Sequence, residues 1–326
     1  MDRQDNEIQI KNTSIAEDMK TEKCSLKARL DGISISLLIC RPEEDPKGII
    51  QLAHGMCEHK ERFIPFMEYL CSNGYICVIN DHRGHGESIS SPEDLGYFHQ
   101  GGWCGIVDDL LIVNEHVKDL YPGLPIYMFG HSMGSLAVRS FTKQYDTQID
   151  GLIVCGSPSR NPATGAGRLL TRLIAAVKGE RHRPSLIHKI AFESFNSRFA
   201  SEGENAWLTK DSSIVREYNE DPLCGYMFTA NGFIGLFDLM TDTYSNKGWK
   251  TGNPSLPVHF IAGADDPCIT SSKDFAKAVG MMRTVGYTDV TDRLYDGMRH
   301  EILNETDKTL VWKDILNLLD SWSKRG

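Results

Sequence analysis

The sequence has little that would place it in a membrane, a disulfide-stapled module or a nucleic-acid complex. No apolar run approaches the roughly 18 residues that a membrane-spanning helix needs. The N-terminal MDRQDNEIQIKNTSIAEDMKTEK has no apolar stretch of the kind a secretory leader carries. Cysteine is present, but its nine copies are odd in number and show no C-x-x-C spacing, which argues against a disulfide framework and for reduced thiols in a reducing compartment. Positive charge is scarce: 35 Lys and Arg face 44 Asp and Glu, for a net charge of -9. Such a surface disfavours nucleic acid and tight docking on anionic lipid. Internal repeats and low-complexity tracts are lacking, which argues against a solenoid. These absences lead us to expect a cytoplasmic protein with no nucleic-acid partner and no stable membrane insertion. They leave the oligomeric state open.

What is there reads as one large α/β domain with an insertion. The 326 residues are 40% hydrophobic and 24% charged, a mix able to fill a sizeable core. Short apolar runs at Ile33–Cys40, Gly48–Ala53, Tyr75–Ile79, Ile126–Phe129, Leu152–Cys155, Val258–Ala262 and Val290–Tyr295 suit strands, most of them buried on both faces. Helical spacing falls between them, over Phe63–Leu70, Val107–Leu120, Met133–Gln144 and Leu310–Trp322. Alternation of this kind builds a mostly parallel sheet with helices on both faces. From about Ser159 to Trp249 the pattern is helical only. We therefore expect a polar tail over 1–23, an α/β core over 24–158 and 250–326, and a helical insertion over 159–249. Within that insertion Leu169, Leu170, Leu173, Ile174 and Val177 form an apolar stripe, expected to pack against the body.

Gly130-His131-Ser132-Met133-Gly134 is a G-x-S-x-G pentapeptide between strand-like and helix-like residues. Glycines two before and two after the serine permit the sharp turn that lifts a hydroxyl above the edge of the sheet. A serine nucleophile needs a base, and the base needs an orienting acid. Of the later histidines, His182 and His188 fall in the insertion and His259 inside a strand, which leaves His300, in the loop after the last strand, as the base. The acid should follow a strand between the two, and Asp265-Asp266-Pro267 offers two candidates. Pro267 holds Asp266 in extended geometry, which favours Asp266 over Asp265. Oxyanion donors are expected from the backbone N–H of Met133, after the nucleophile, and of Met56 in His54-Gly55-Met56-Cys57. His54, His59, His82 and His85 show no H-E-x-x-H or paired Cys/His spacing, so no metal and no cofactor are expected.

These segments together resemble the monoglyceride lipase and lysophospholipase group, within the serine aminopeptidase S33-type set of α/β hydrolases. His54-Gly55-Met56-Cys57-Glu58-His59 with Arg62 is similar to its HGxxEH…R segment, and Asp81-His82-Arg83-Gly84-His85-Gly86-Glu87-Ser88 to its D-H-x-G-H-G-x-S loop. The GHSMG pentapeptide, the G-x-x-D pattern from Gly263 and His300-Glu301 follow in the group's order, and Asp221-Pro222-Leu223-Cys224 resembles a segment of its cap. Cys57 stands where the group often has glycine. The resemblance implies an α/β-hydrolase fold with a helical cap and Ser132, Asp266 and His300 as triad. It further implies Met56 and Met133 as oxyanion donors, Arg62 as a substrate contact, and a small-molecule or lipid ester, such as monoacylglycerol or lysophospholipid, as substrate. An amidase or aminopeptidase on the same triad, anchored by an acid among Glu193, Glu202, Glu204, Glu217 and Glu220, is the alternative. An acyltransferase, and a noncatalytic binding protein on the same fold, stand further off.

Overall fold

The computed structural model describes residues 20–192 and 195–324. Among the described residues the eight strands, in chain order, are β1 (Lys20–Lys27), β2 (Ser34–Arg41), β3 (Gly48–Ala53), β4 (Tyr75–Asn80), β5 (Ile126–His131), β6 (Gly151–Cys155), β7 (Val258–Gly263) and β8 (Val290–Tyr295). They form one sheet in the order β1-β2-β4-β3-β5-β6-β7-β8. β1 and β2, and β2 and β4, pair antiparallel, and every other pair is parallel. β3, β4, β5 and β6 are buried at every residue, because helices cover both faces, and so they read as unbroken apolar runs. This is the α/β-hydrolase fold.

Among the described residues five helices cover the sheet: α1 (Ile64–Cys71), α2 (Gly102–Leu120), α3 (Met133–Tyr145), α8 (Ser272–Thr284) and α9 (Lys308–Ser323). Between β6 and β7 lie α4 (Thr164–Lys178), α5 (Ser185–Phe192), α6 (Ser212–Glu220) and α7 (Ala230–Thr243), with no strand among the described residues there. From β3 the chain crosses to β4 on one side, then returns past β3 to β5 on the other. That reversal opens a crevice beyond the carboxyl ends of β3 and β5, the place where ligands bind in such sheets. His54-Gly55-Met56 and Ser132 follow those two ends directly.

Three expectations need correction. The tail was expected to run to Lys23, yet Lys20–Lys23 already belong to β1, paired with Leu38–Arg41. Residues 1–19 lie outside the described residues. α8 was not anticipated at all. The apolar stripe on α4 packs along one edge only. Ile174 rests on the core and Leu170 lines the central cavity, whereas Leu169, Leu173 and Val177 are 61%, 58% and 84% exposed. The stripe spreads over more of the helix surface than one packing face can cover.

Candidate active site

The turn between β5 and α3 places Ser132 at φ 53° and ψ -118°, in the left-handed half of backbone space that a side chain rarely adopts. Its flanking glycines make this possible. A Cβ on Gly130 would stand 2.5 Å from the Gly134 carbonyl oxygen, and one on Gly134 would stand 2.2 Å from that of Ala53. α3 can thus start hard against the ends of β3 and β5. The Ser132 N–H donates to the Cys155 carbonyl at 3.0 Å, which ties the turn to β6. Met133 is the first residue of α3, so its N–H is among those a helix start leaves unpaired. The Met56 N–H likewise donates to no group among the described residues.

His300 sits in the loop after β8. Its Nδ1 lies 2.9 Å from Asp266 Oδ2, and both side chains are buried. The other oxygen, Asp266 Oδ1, accepts the Cys268 N–H at 2.8 Å, which fixes the carboxylate. Asp265, the other candidate, turns outward: its carboxylate is 40% exposed and meets Arg198 at 3.0 Å. The His300 ring is flanked by Trp207 at 5.0 Å and by His131 at 4.7 Å between centroids. Its Nε2 faces the Cys268 thiol at 4.0 Å. Among the described residues no hydrogen bond joins Nε2 to Ser132, although both residues line one cavity. Such contacts are often long until substrate is bound.

Beneath these groups lies a buried charged network. Glu58 Oε1 accepts the Gly55 N–H at 2.5 Å and lies 3.3 Å from His131 Nδ1, while His131 Nε2 lies 3.3 Å from the His300 carbonyl. Arg62 reaches Glu58 at 2.6 Å and Glu301 at 2.8 and 2.7 Å, with its guanidinium 4.9 Å from the Tyr218 ring centre. Burial alone would raise the Glu58 carboxyl, but the His131 hydrogen bond and the Arg62 charge hold it well below the carboxylate range. Burial would raise Glu301 too, and Arg62 pulls it down. His131 is shifted the other way: burial opposes its charge, and Glu58 more than offsets this, so its pKa is raised. The loop after β3, the Ser132 turn and the His300 loop are therefore joined through ionised side chains.

Arg62 was expected to touch substrate. It does not line the cavity, because both of its carboxylate partners hold it underneath the site. Glu58, His131 and Glu301 escaped notice as partners because 73 residues separate Glu58 from His131 and 239 separate Arg62 from Glu301. The cavity itself measures about 930 Å³. Ser132, His300, Met56 and Met133 line it, and the insertion supplies most of the other lining residues, including Leu170, Ile187, Leu236 and Phe237. Of the acids considered as amine anchors, Glu204 lines the cavity and Glu202 is held by Arg299 at 2.8 Å. Glu193 lies outside the described residues. The loop histidines His54, His82 and His85 are fully buried, meet one another in tilted or edge-on ring contacts and are kept neutral by burial, with His82 pushed down to about 4 and His85 to about 3.

Fold and site together define an α/β-hydrolase, and the molecule is an ester hydrolase of that fold. Residues 44–307 match the model of the serine aminopeptidase S33 family, and the chain belongs to that family. It is similar to the monoacylglycerol lipase of Mycolicibacterium smegmatis, at 26% identity over 90% of this chain and 95% of that one. It is 25% identical to the human monoglyceride lipase over 87% of this chain and 86% of the relative. A thermostable carboxyl esterase from Bacillus coagulans shares the fold with a TM-score of 0.86, at 23% identity and over 93% of this chain and 99% of that one. No helix among the described residues is long and apolar enough to cross a membrane.

Proposed function

We propose that this chain hydrolyses carboxylic esters of long apolar acyl groups, of the monoacylglycerol or lysophospholipid kind, through an acyl-enzyme on Ser132. The observation that carries this reading is the cavity: Ser132, His300, Met56 and Met133 all line one space, which is lined largely by residues of the insertion, among them apolar Leu170, Ile187, Leu236 and Phe237. The insertion acts as a cap, and the apolar residues of α4, α5 and α7 receive the acyl chain. The assignments of Ser132, Asp266 and His300, and of the Met56 and Met133 amides, belong to this proposal.

In the first half-reaction Ser132 Oγ attacks the ester carbonyl carbon and His300 Nε2 takes the hydroxyl proton. Asp266 stabilises the imidazolium through Nδ1. The tetrahedral oxyanion accepts hydrogen bonds from the two amides. Collapse expels the alcohol, which takes the proton back from His300. Water then attacks the acyl-enzyme with His300 as base, releasing the acid. The Ser132 hydroxyl has to reach Nε2 as substrate binds, displacing the thiol of Cys268 as that nitrogen's neighbour.

The test is a series of p-nitrophenyl esters from about two to sixteen carbons, run beside a monoacylglycerol and an aminoacyl anilide. The proposal expects kcat/KM to rise with chain length, with turnover of the monoacylglycerol and none of the anilide. Turnover confined to the anilide would move the reading to an aminopeptidase with Glu204 as amine anchor.

A further inference from the structure

We propose that His59, Asp221 and Cys224 form a binding site for a thiophilic divalent cation, zinc being the fitting case, that ties the helical insertion to the loop after β3. The site is separate from the catalytic centre, and the proposal does not depend on the catalytic reading. One ligand atom from each residue lies within 4.8 Å of the other two. Tetrahedral zinc, with ligands at about 2.0–2.3 Å, places its ligand atoms roughly 3.3–3.8 Å apart, so small side-chain movements suffice.

The supporting shell is already in place. Glu61 Oε2 lies 2.7 Å from His59 Nδ1, which turns Nε2 toward Asp221 Oδ2 at 2.8 Å. A carboxylate on the far nitrogen is the usual orienting partner of a metal-bound histidine. Lys60 balances Glu61 at 2.8 Å. Asp221 Oδ1 accepts the Leu223 N–H at 2.8 Å, which leaves Oδ2 for the cation. Cys224 is buried and the Asp221 side chain is 30% exposed, so a cation enters past Asp221 and water fills its fourth position. One thiolate and one carboxylate neutralise the dication. Binding releases two protons, one from the thiol and one held between His59 and Asp221. A sulfur-nitrogen-oxygen set selects zinc over calcium or magnesium, which prefer oxygen alone.

The place of the site gives it a consequence. The Gly225 N–H and the Tyr218 hydroxyl both donate to the Cys57 carbonyl, at 3.0 and 3.2 Å, so the insertion already rests on the residue after Met56. A cation two residues further along that loop would lock the seam. The sequence conceals the set because 162 residues separate His59 from Asp221.

The experiment is a cobalt titration of the full chain after treatment with chelator, followed by displacement with zinc. Asp266, Cys268 and His300 form a second cluster of similar size at the catalytic centre, so a Cys268→Ser variant is titrated beside the wild type. One equivalent of cobalt with a thiolate charge-transfer band is expected in both. That band should vanish in Cys224→Ser. Affinity should fall about tenfold in Glu61→Gln, through loss of the orienting carboxylate, and further in Asp221→Asn, whose partly exposed position safeguards folding. A band that survives Cys224→Ser, unchanged affinity in Asp221→Asn, or no thiolate band in the wild type would overturn the proposal.

Discussion

Replacing Asp266 with asparagine removes one charge from the candidate site and little volume. The structure places Asp266 Oδ2 2.9 Å from His300 Nδ1, with both groups buried, so no solvent is available to take over its role. An amide there can present its N–H to Nδ1 and favour the wrong tautomer, and it brings no charge to balance the imidazolium. In a serine protease triad the same change costs about 10⁴-fold in turnover, equivalent to roughly 5 kcal/mol of lost transition-state stabilisation. We expect kcat/KM of Asp266→Asn on a medium-chain p-nitrophenyl ester to fall about 10³–10⁴-fold. Asp265→Asn breaks only a surface pair with Arg198, both partners well exposed, and should stay within about threefold of wild type. Denaturant midpoints measured in parallel ensure that folded protein is compared. A folded Asp266→Asn enzyme within tenfold of wild type, or a larger loss in Asp265→Asn, would refute the reasoning.

Glu58→Gln should destabilise the fold by about 3 kcal/mol, because it leaves buried His131 and part of Arg62 without their countercharge; a urea midpoint unchanged from wild type would contradict this. Stability should also fall in mild acid. The folded values of His82 and His85 lie below the unfolded value of about 6.5, so the unfolded chain takes up protons first, and their contribution is present above 6.5 and lost below it. At pH 5 the loss should be about 2 kcal/mol for each. His131, shifted upward, keeps its contribution below 6.5 and loses it only as the pH rises through its folded value. A urea midpoint constant from pH 7 to 5 would show that the buried histidines are not held neutral.

The parallel strands were legible because burial on both faces writes itself into sequence as unbroken apolar runs: Gly48–Ala53 and Ile126–His131 are buried throughout. The G-x-S-x-G turn was legible because its geometry permits almost nothing but glycine at Gly130 and Gly134. β1 was hidden because only Cys24 and Leu26 of KTEKCSLK are apolar, too short a signal to read as a strand, as suits the edge strand that it is. α8 left a signal that could have been read: Ser271 caps it by accepting the Asp274 N–H, and Phe275, Ala278, Val279 and Met282 recur on one buried face. The choice between Asp265 and Asp266 rested on Pro267, and the structure adds what sequence could not, the direction of each side chain. Arg62 was misread because a motif gives a residue's presence but not its partners. Nothing local distinguishes an arginine that meets substrate from one that meets Glu58 and Glu301 beneath it.

The central claim is that Ser132 is a nucleophile activated in the capped cavity. Its most direct test is labelling with a fluorophosphonate, followed by peptide mapping of the adduct in the wild type and in Ser132→Ala. One adduct, on the Gly130–Gly134 peptide, lost in Ser132→Ala together with ester turnover while the melting temperature is retained, is the predicted result. An adduct on another residue, or full turnover in Ser132→Ala, would contradict it.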